Sequence, residues 1–464
     1  MKRQESRRSF LKQTGYIAAA GTVLAGTVVP YVHAASNDTI KLAIVGCGGR
    51  GMGAARQALN ADPQTKFWTV ADVFPEKAQL AATDIKKDYE NRDKGHMVDI
   101  APDRVFSEFD GYKKAMDSLD TGDVVLLTTP SGFRPLHFAY AVERGLHVFA
   151  EKAIAVDIPG LKSLQESNKI ARAKGLKIAV GLNNRHYFRT EEAVKEIHAG
   201  RLGDLNAFFV YRCQPPSTSN PGSSRQRDRD GQSSIQPPIQ YQLRRTFRFN
   251  WLTGSYIVDA LIHNLDICCW AKQQTPVAAL GLGGRLYRRE PDELNDNSSV
   301  QYTFADGKKM LLHTSNIAGT WAGFRAVIHG SKGCAVLGEG VTDPGFYEDW
   351  NDEPTGNPFW TPRSVRNTSH QTELDRFFKA IRENREWNEL DYGIDATFTG
   401  ILGRMAVETG QRVTAEEAWT STFQYVPNID ELTLAGDAPV MPDAEGNYRI
   451  PRPGRATINN PYQE

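Results

Sequence analysis

The apolar positions come in short blocks whose spacing switches repeatedly between strand and helix periods. Ile40-Lys41-Leu42-Ala43-Ile44-Val45 is a β-branched and apolar run that predicts a strand, and it breaks into Gly46-Cys47-Gly48-Gly49-Arg50-Gly51. Residues 54–59 continue as a helix; residues 67–71 predict a second strand ending at Asp72, and residues 75–89 a second helix. Val124-Val125-Leu126-Leu127 is apolar throughout, as a strand buried on both faces of a parallel sheet must be, and it stops at Thr129-Pro130. A helix over 134–144, a strand over 147–150, a helix capped by Asp157 and closed by Gly175, and a strand over 177–180 follow. Strands and helices alternating at this length predict a doubly wound parallel sheet.

The pattern changes after Arg185. A helix (191–199) and a strand (205–211) lead into residues 214–245, which are rich in Pro, Ser, Gln and Arg and show no apolar period. A stretch of that kind inside a globular chain is functional or disordered. Strand-like pieces then recur at 276–285, 298–304, 308–314, 324–329 and 334–338, joined by turns such as Asp306-Gly307, and they predict a large, mainly antiparallel sheet. Amphipathic helices are expected over 372–381 and 397–408, and the last thirty residues read as polar and extended. The expected organisation is a leader (1–35), a dinucleotide-binding Rossmann domain (36–185), an α+β domain for substrate and oligomerisation (186–432) carrying the polar loop 214–245, and an extended tail (433–464).

Composition narrows the classes. Of 464 residues, 55 are basic and 55 acidic, so the chain lacks the charge footprint of a nucleic-acid binder. The five cysteines include no CxxC pair, which excludes a disulfide scaffold and a Cys-type zinc site. The leader changes the picture of location: Ser6-Arg7-Arg8-Ser9-Phe10-Leu11-Lys12 precedes a mildly apolar Gly/Ala/Thr-rich stretch and small residues at Ala34-Ala35. That arrangement is similar to a twin-arginine export signal, too short and too interrupted to stay in lipid as a span. Export to the periplasm through the twin-arginine machinery is therefore expected, without stable membrane insertion.

Three sets of residues carry candidate chemistry. Gly46, Gly48 and Gly51 form G-x-G-x-x-G between a strand and a helix, with Asp72 ending the next strand. The glycines admit a tight turn, close approach of a pyrophosphate and close helix–strand packing, while the acid accepts hydrogen bonds from an adenosine ribose. Asp72 favours NAD over NADP, although Arg50 and Lys77 offset some of its charge. Asp259 and His263 stand four apart on a predicted helix, where a carboxylate can orient an imidazole that acts as a base; a capping or core hydrogen bond is the plainer alternative. Lys152, beside Glu151, ends the fifth strand at the sheet edge where ligands of open α/β sheets bind. Its plainer alternative is a solvated surface lysine. Two ligands without a third argue against a metal. His137, His147 and His329 read as core or strand-edge residues.

Together these stretches resemble the glucose–fructose oxidoreductase/inositol dehydrogenase (Gfo/Idh/MocA) family. The resemblance runs through the glycine turn and Asp72, through Thr129-Pro130 with His137, and through Gly145-Leu146-His147-Val148-Phe149-Ala150-Glu151-Lys152. It continues at Gly181-Leu182-Asn183-Asn184-Arg185, at Gly254, Asp259, His263 and Asp266, and at His329-Gly330-Ser331-Lys332-Gly333. It implies catalysis by Lys152, Asp259 and His263: the histidine takes the hydroxyl proton, Asp259 orients it, and the lysine holds the reacting oxygen. It implies cofactor contacts from Gly46, Cys47, Gly48, Gly49, Arg50, Gly51, Asp72, Thr129, Pro130, Glu151 and Lys152, and substrate contacts from Lys152, Arg185, Asp259 and His263. The family's Glu-Lys-Pro is Glu151-Lys152-Ala153 here, and Ser255 replaces a second glycine.

The implied activity is an exported oxidoreductase acting on a sugar or polyol hydroxyl. Its nicotinamide cofactor, NAD with NADP as the alternative, is expected to be tightly held, because free coenzyme is absent outside the cytoplasm. A homodimer or homotetramer is expected. The competing readings are a redox-neutral, NAD-dependent glycoside hydrolase and a low-turnover nucleotide- or sugar-binding protein.

Overall fold

The computed structural model describes residues 38–214, 237–287 and 291–463. The predicted leader and most of the polar stretch 214–245 lie outside the described residues. Six strands, β1 (Ile40–Val45), β2 (Thr65–Ala71), β3 (Val105–Phe106), β4 (Val124–Leu127), β5 (His147–Ala150) and β6 (Ile178–Val180), form one parallel sheet in the order β3-β2-β1-β4-β5-β6. The order reverses between β1 and β4, which opens a crevice at the carboxyl ends of those two strands. The helix after β1 begins at once, at Gly49, and runs to Ala61.

The second sheet contains β7 (Leu205–Cys213), β8 (Ala278–Gly284), β9 (Asn297–Thr303), β10 (Lys309–Ser315), β11 (Gly323–Gly330) and β12 (Gly333–Leu337). Two short strands, β13 (Gly345–Tyr347) and β14 (Arg412–Thr414), extend it at its edges. All its pairings are antiparallel except β7 with β10. The fold is thus a Rossmann sheet followed by a mainly antiparallel one.

Late segments return to the first sheet. The helix Ser369–Arg382 lays Leu374, Phe377, Phe378 and Ile381 against Ile40, Leu42, Ile44 and Ala58, so it covers one face of the parallel sheet together with the helix Gly49–Ala61. The helix Leu390–Thr409 is buried almost all round and joins the other face of that sheet to the inner face of the antiparallel one. A smaller core unites Phe74 and Phe133 with Ile239, Leu243, Phe249 and Trp251 and with Tyr425 and Tyr448 of the C-terminal stretch. Residues 433–463 contain no regular helix or strand yet are anchored by that packing.

Within 237–245, where the sequence predicts no regular element, the chain forms the helix Pro238–Arg244; its Ile239 and Leu243 sit four apart and both are buried. Among the described residues, all five cysteines are free and buried, no helix is long and apolar enough to cross a membrane, and no group of His, Cys, Asp or Glu is placed to hold a metal.

Candidate functional site

The crevice between β1 and β4 deepens into a cavity of about 770 Å³ that runs from the glycine turn to Lys152, Asp259 and His263. Its first end is shaped by backbone. Gly46 has φ +101°, and a Cβ there would lie 2.7 Å from the Thr129 nitrogen; one on Gly51 would lie 2.2 Å from the Gly46 oxygen. Only glycine lets the turn and the helix approach so closely. A Cβ on Gly48 or Gly49, by contrast, would meet nothing within 4 Å, and both residues face the cavity. The helix that starts there has no side-chain cap, which leaves first-turn amides toward the opening. That cradle fits a dinucleotide pyrophosphate.

Asp72 stands where the sequence places it, at the cavity wall. Its carboxylate accepts from the Cys47 N–H at 2.8 Å and the Phe74 N–H at 3.0 Å, so its orientation is locked to the turn. Cys47 is expected from the sequence as a cofactor contact. It does not line the cavity; its N–H is spent on Asp72, and its buried Sγ donates to the Ala71 oxygen at 3.5 Å. Arg50 lines the cavity but points its charge inward: Nε reaches Glu151 at 2.5 Å and Nη2 reaches Glu373 at 3.1 Å. It therefore does not offset the charge of Asp72. Burial alone would raise the Glu151 carboxyl, but Arg50, Lys152 and Arg134 outweigh it and hold it below the ordinary range. Glu373, buried and repelled by Glu151, is pushed well above that range.

Thr129 and Pro130 border the middle of the cavity, followed by Arg134. The buried Arg134 guanidinium donates to the Ser131 hydroxyl at 2.8 Å, to the Thr129 oxygen at 2.6 Å and to the Ala153 oxygen. It ties the turn after β4 to the turn carrying Lys152. The Lys152–Ala153 peptide is cis. Lys152 Nζ donates to the Asp259 main-chain oxygen at 2.8 Å and approaches its carboxylate at 3.5 Å. An ammonium has three N–H groups, so one remains for a substrate oxygen.

His263 borders the same space and is buried, and it is held well below the ordinary histidine range by that burial, with Lys152, His370 and Arg212 adding to the effect. It is therefore neutral at pH 7, with Nδ1 buried and unpartnered. The expected orientation of His263 by Asp259 is not found. The two do not lie on one continuous helix: Tyr256–Ala260 and Ile262–Lys272 are separate, broken at Leu261, and the Asp259 carboxylate faces Lys152 instead. Arg185 is expected from the sequence as a substrate contact. It lies outside the cavity lining, held by Asp266 through two hydrogen bonds of 2.8 Å and stacked on Tyr392 at 4.1 Å.

Sequence reasoning missed Arg134, Glu339, His370 and Arg244, all of which border the cavity. Arg244 was hidden in a stretch read as loop. Glu339 follows β12 and pairs with Arg212 at 3.1 Å, and His370 enters from the helix Ser369–Arg382. No local spacing connects either residue with Lys152.

The chain matches the oxidoreductase family described as having an NAD-binding Rossmann fold over residues 40–182, and the GFO/IDH/MocA C-terminal domain over residues 190–336. No curated protein matches it by sequence. Among solved structures it resembles scyllo-inositol dehydrogenase from Lactobacillus casei, solved with NAD(H) and scyllo-inositol, at 20% identity and a TM-score of 0.57 over 82% of this chain and 100% of that one. Myo-inositol 2-dehydrogenase from Lactobacillus plantarum gives 19%, 0.58, 81% and 99% for the same measures. UDP-N-acetylglucosamine 3-dehydrogenase from Acidithiobacillus ferrooxidans gives 16%, 0.56, 80% and 98%. At these identities the likeness is one of fold.

Proposed function

The chain belongs to the Gfo/Idh/MocA family of NAD-binding oxidoreductases, and from that premise we propose that it moves hydride between a CH–OH carbon of a sugar or polyol and a nicotinamide cofactor. The observation that carries the reading is one cavity with a phosphate cradle at one end and Lys152, Asp259 and His263 together at the other.

The nicotinamide, when bound, supplies the hydride acceptor. Lys152 Nζ, positioned by Asp259, holds the substrate oxygen and stabilises negative charge as it develops there. The neutral imidazole of His263 takes the hydroxyl proton as hydride leaves the same carbon, so the alcohol becomes a carbonyl. Asp259 acts through Lys152, and Arg134 fixes the turn on which the lysine stands. Burial of His263, beside the half-buried Lys152, keeps bulk water from competing for the proton.

Asp72, with Arg50 turned away to Glu151 and Glu373, supports NAD over NADP, while Lys77 and Arg244, which line the same cavity, offset part of its charge. The twin-arginine-like leader supports export to the periplasm, and a cofactor loaded before export and retained through turnover follows from that location. Exposed Leu280 and Leu282 on β8 support self-association through the antiparallel sheet.

The deciding experiment is nucleotide analysis of purified, denatured protein, paired with a His263→Ala variant. Stoichiometric NAD(H) in both, with turnover of sugars or polyols reduced about 10²- to 10⁴-fold in the variant, is expected. Undiminished turnover in His263→Ala would remove the histidine from the mechanism. A protein that works only with added NAD would refute the retained cofactor.

A further inference from the structure

The cavity beside Asp72 has two walls, and only one comes from the parallel sheet. Phe74 belongs to that first wall. The second is the helix Pro238–Arg244 and the turn after it, which bring Arg244 and Phe247 to the same cavity. The Arg244 guanidinium lies 3.9 Å from the Phe74 ring centroid, and its Nη2 bonds Glu76 at 2.7 Å. Phe247 is 57% exposed at the same opening, a large ring with a free face. An isolated exposed phenylalanine needs no explanation. One placed at a cavity mouth, three residues from a part-exposed guanidinium that lines the same cavity, offers a stacking surface and a positive charge together. That is the chemistry that recognises a purine nucleoside.

The wall is firmly held from behind. Gln242 is fully buried; its Nε2 donates to the Val440 oxygen at 2.5 Å, and its Oε1 accepts from Trp251 Nε1 at 2.6 Å. Ile239 and Leu243 pack with Phe74 and with Tyr425 of the C-terminal stretch. The residues after the second sheet thus brace a wall that faces the nucleotide cleft.

We propose that Arg244 and Phe247 bind the adenosine half of the dinucleotide, so that the bound cofactor is gripped by both domains and leaves only when the 238–247 wall parts from Phe74. The assignment rests on the nucleotide-binding reading above, and it supplies a physical basis for slow release.

The test uses NADH as the probe on the full-length protein. Its dissociation rate is followed by fluorescence after mixing with excess NAD, for wild type, Arg244→Ala, Phe247→Ala and Glu76→Gln. Loss of one stacking or charged contact should speed release about tenfold in the first two variants. Glu76→Gln removes only the partner of Arg244, a half-exposed ion pair, and should stay within about twofold of wild type. Phe247 is exposed, so its truncation leaves folding intact even if the arginine variant misfolds. Wild-type release from both Arg244→Ala and Phe247→Ala would overturn the assignment. So would release from Glu76→Gln as fast as from Arg244→Ala, since the cross-domain ion pair alone would then set the rate. A wild-type protein that neither carries nucleotide as purified nor takes up NADH would instead overturn the nucleotide reading beneath it.

Discussion

His137 shows how one side chain can serve the site without taking part in the chemistry. It is buried against Tyr112 at 4.2 Å and Phe133 at 5.8 Å between ring centroids, with Thr129 Oγ1 at 3.3 Å from Nδ1. Burial, reinforced by the charge of Arg134, lowers its pKa to about 3. The unfolded chain protonates a histidine near pH 6.5, so between about pH 6.5 and 3 the unfolded state binds the extra proton and stability falls as pH falls. By about pH 4 this single group costs on the order of 3 kcal/mol. Thermal unfolding of His137→Gln across pH 7 to 4 should therefore show a shallower decline than wild type; parallel curves would remove His137 as a source of acid lability. The neutral ring is also what the cavity requires, because a cation there would compete for Glu151 and Asp259, both of which already interact with Arg134.

Among the elements, the break at Leu261 matters most. A spacing of four residues implies a shared helical face, and for Asp259 and His263 that implication fails because the helix stops and restarts between them. Both residues still reach the cavity, from successive short helices, with the carboxylate turned to the lysine. The entry to the first of these helices is strained. Ser255 has φ +109°, ψ 170°, a conformation open to glycine and unfavourable for any side chain, and its hydroxyl is buried without a partner. Ser255→Gly should stabilise the protein by ~1 kcal/mol, the relief of strain exceeding the entropy of the added glycine. Denaturant unfolding that shows a loss instead would mean the hydroxyl has a partner in solution. The helix Pro238–Arg244 teaches the converse lesson: two apolar residues four apart suffice to seat a seven-residue helix when a preformed core is there to receive them.

Across the whole molecule, the sequence order of the two domains is not their order in space. The helix Ser369–Arg382 belongs to the second half of the chain, yet it covers the nucleotide-binding sheet and delivers Glu373 to Arg50 and His370 to the cavity. Phe377, fully buried there, anchors it. Phe377→Ala should lose about 3–5 kcal/mol in denaturant unfolding. It should also weaken NADH binding in equilibrium titration, because the glycine-turn helix loses its packing partner. Loss of stability with unchanged NADH affinity would show that the parallel sheet binds nucleotide independently of this helix.

The parallel sheet, the glycine turn, Asp72 and Lys152 were legible in the sequence because each depends on local rules. Strand and helix periods, the steric need for glycine and the end of a strand are all written within a few residues. The large second sheet was legible for the same reason. The short edge strands β13 and β14 were not, since three residues carry no period. What local rules could not reach is which side chains meet. Arg185 had the charge for a substrate contact, but Asp266 lay within reach and took it. Cys47 had an amide at the phosphate turn, but Asp72 took that. Glu339, His370 and Arg244 come to the cavity from the loop after β12 and from two distant helices, and only long-range packing of the two sheets and the C-terminal stretch brings them there. The sequence alone determined the elements and the backbone chemistry of the cofactor turn, because those energies are local; tertiary structure decided the membership of the site, because hydrogen-bond and charge partners are chosen by proximity in space.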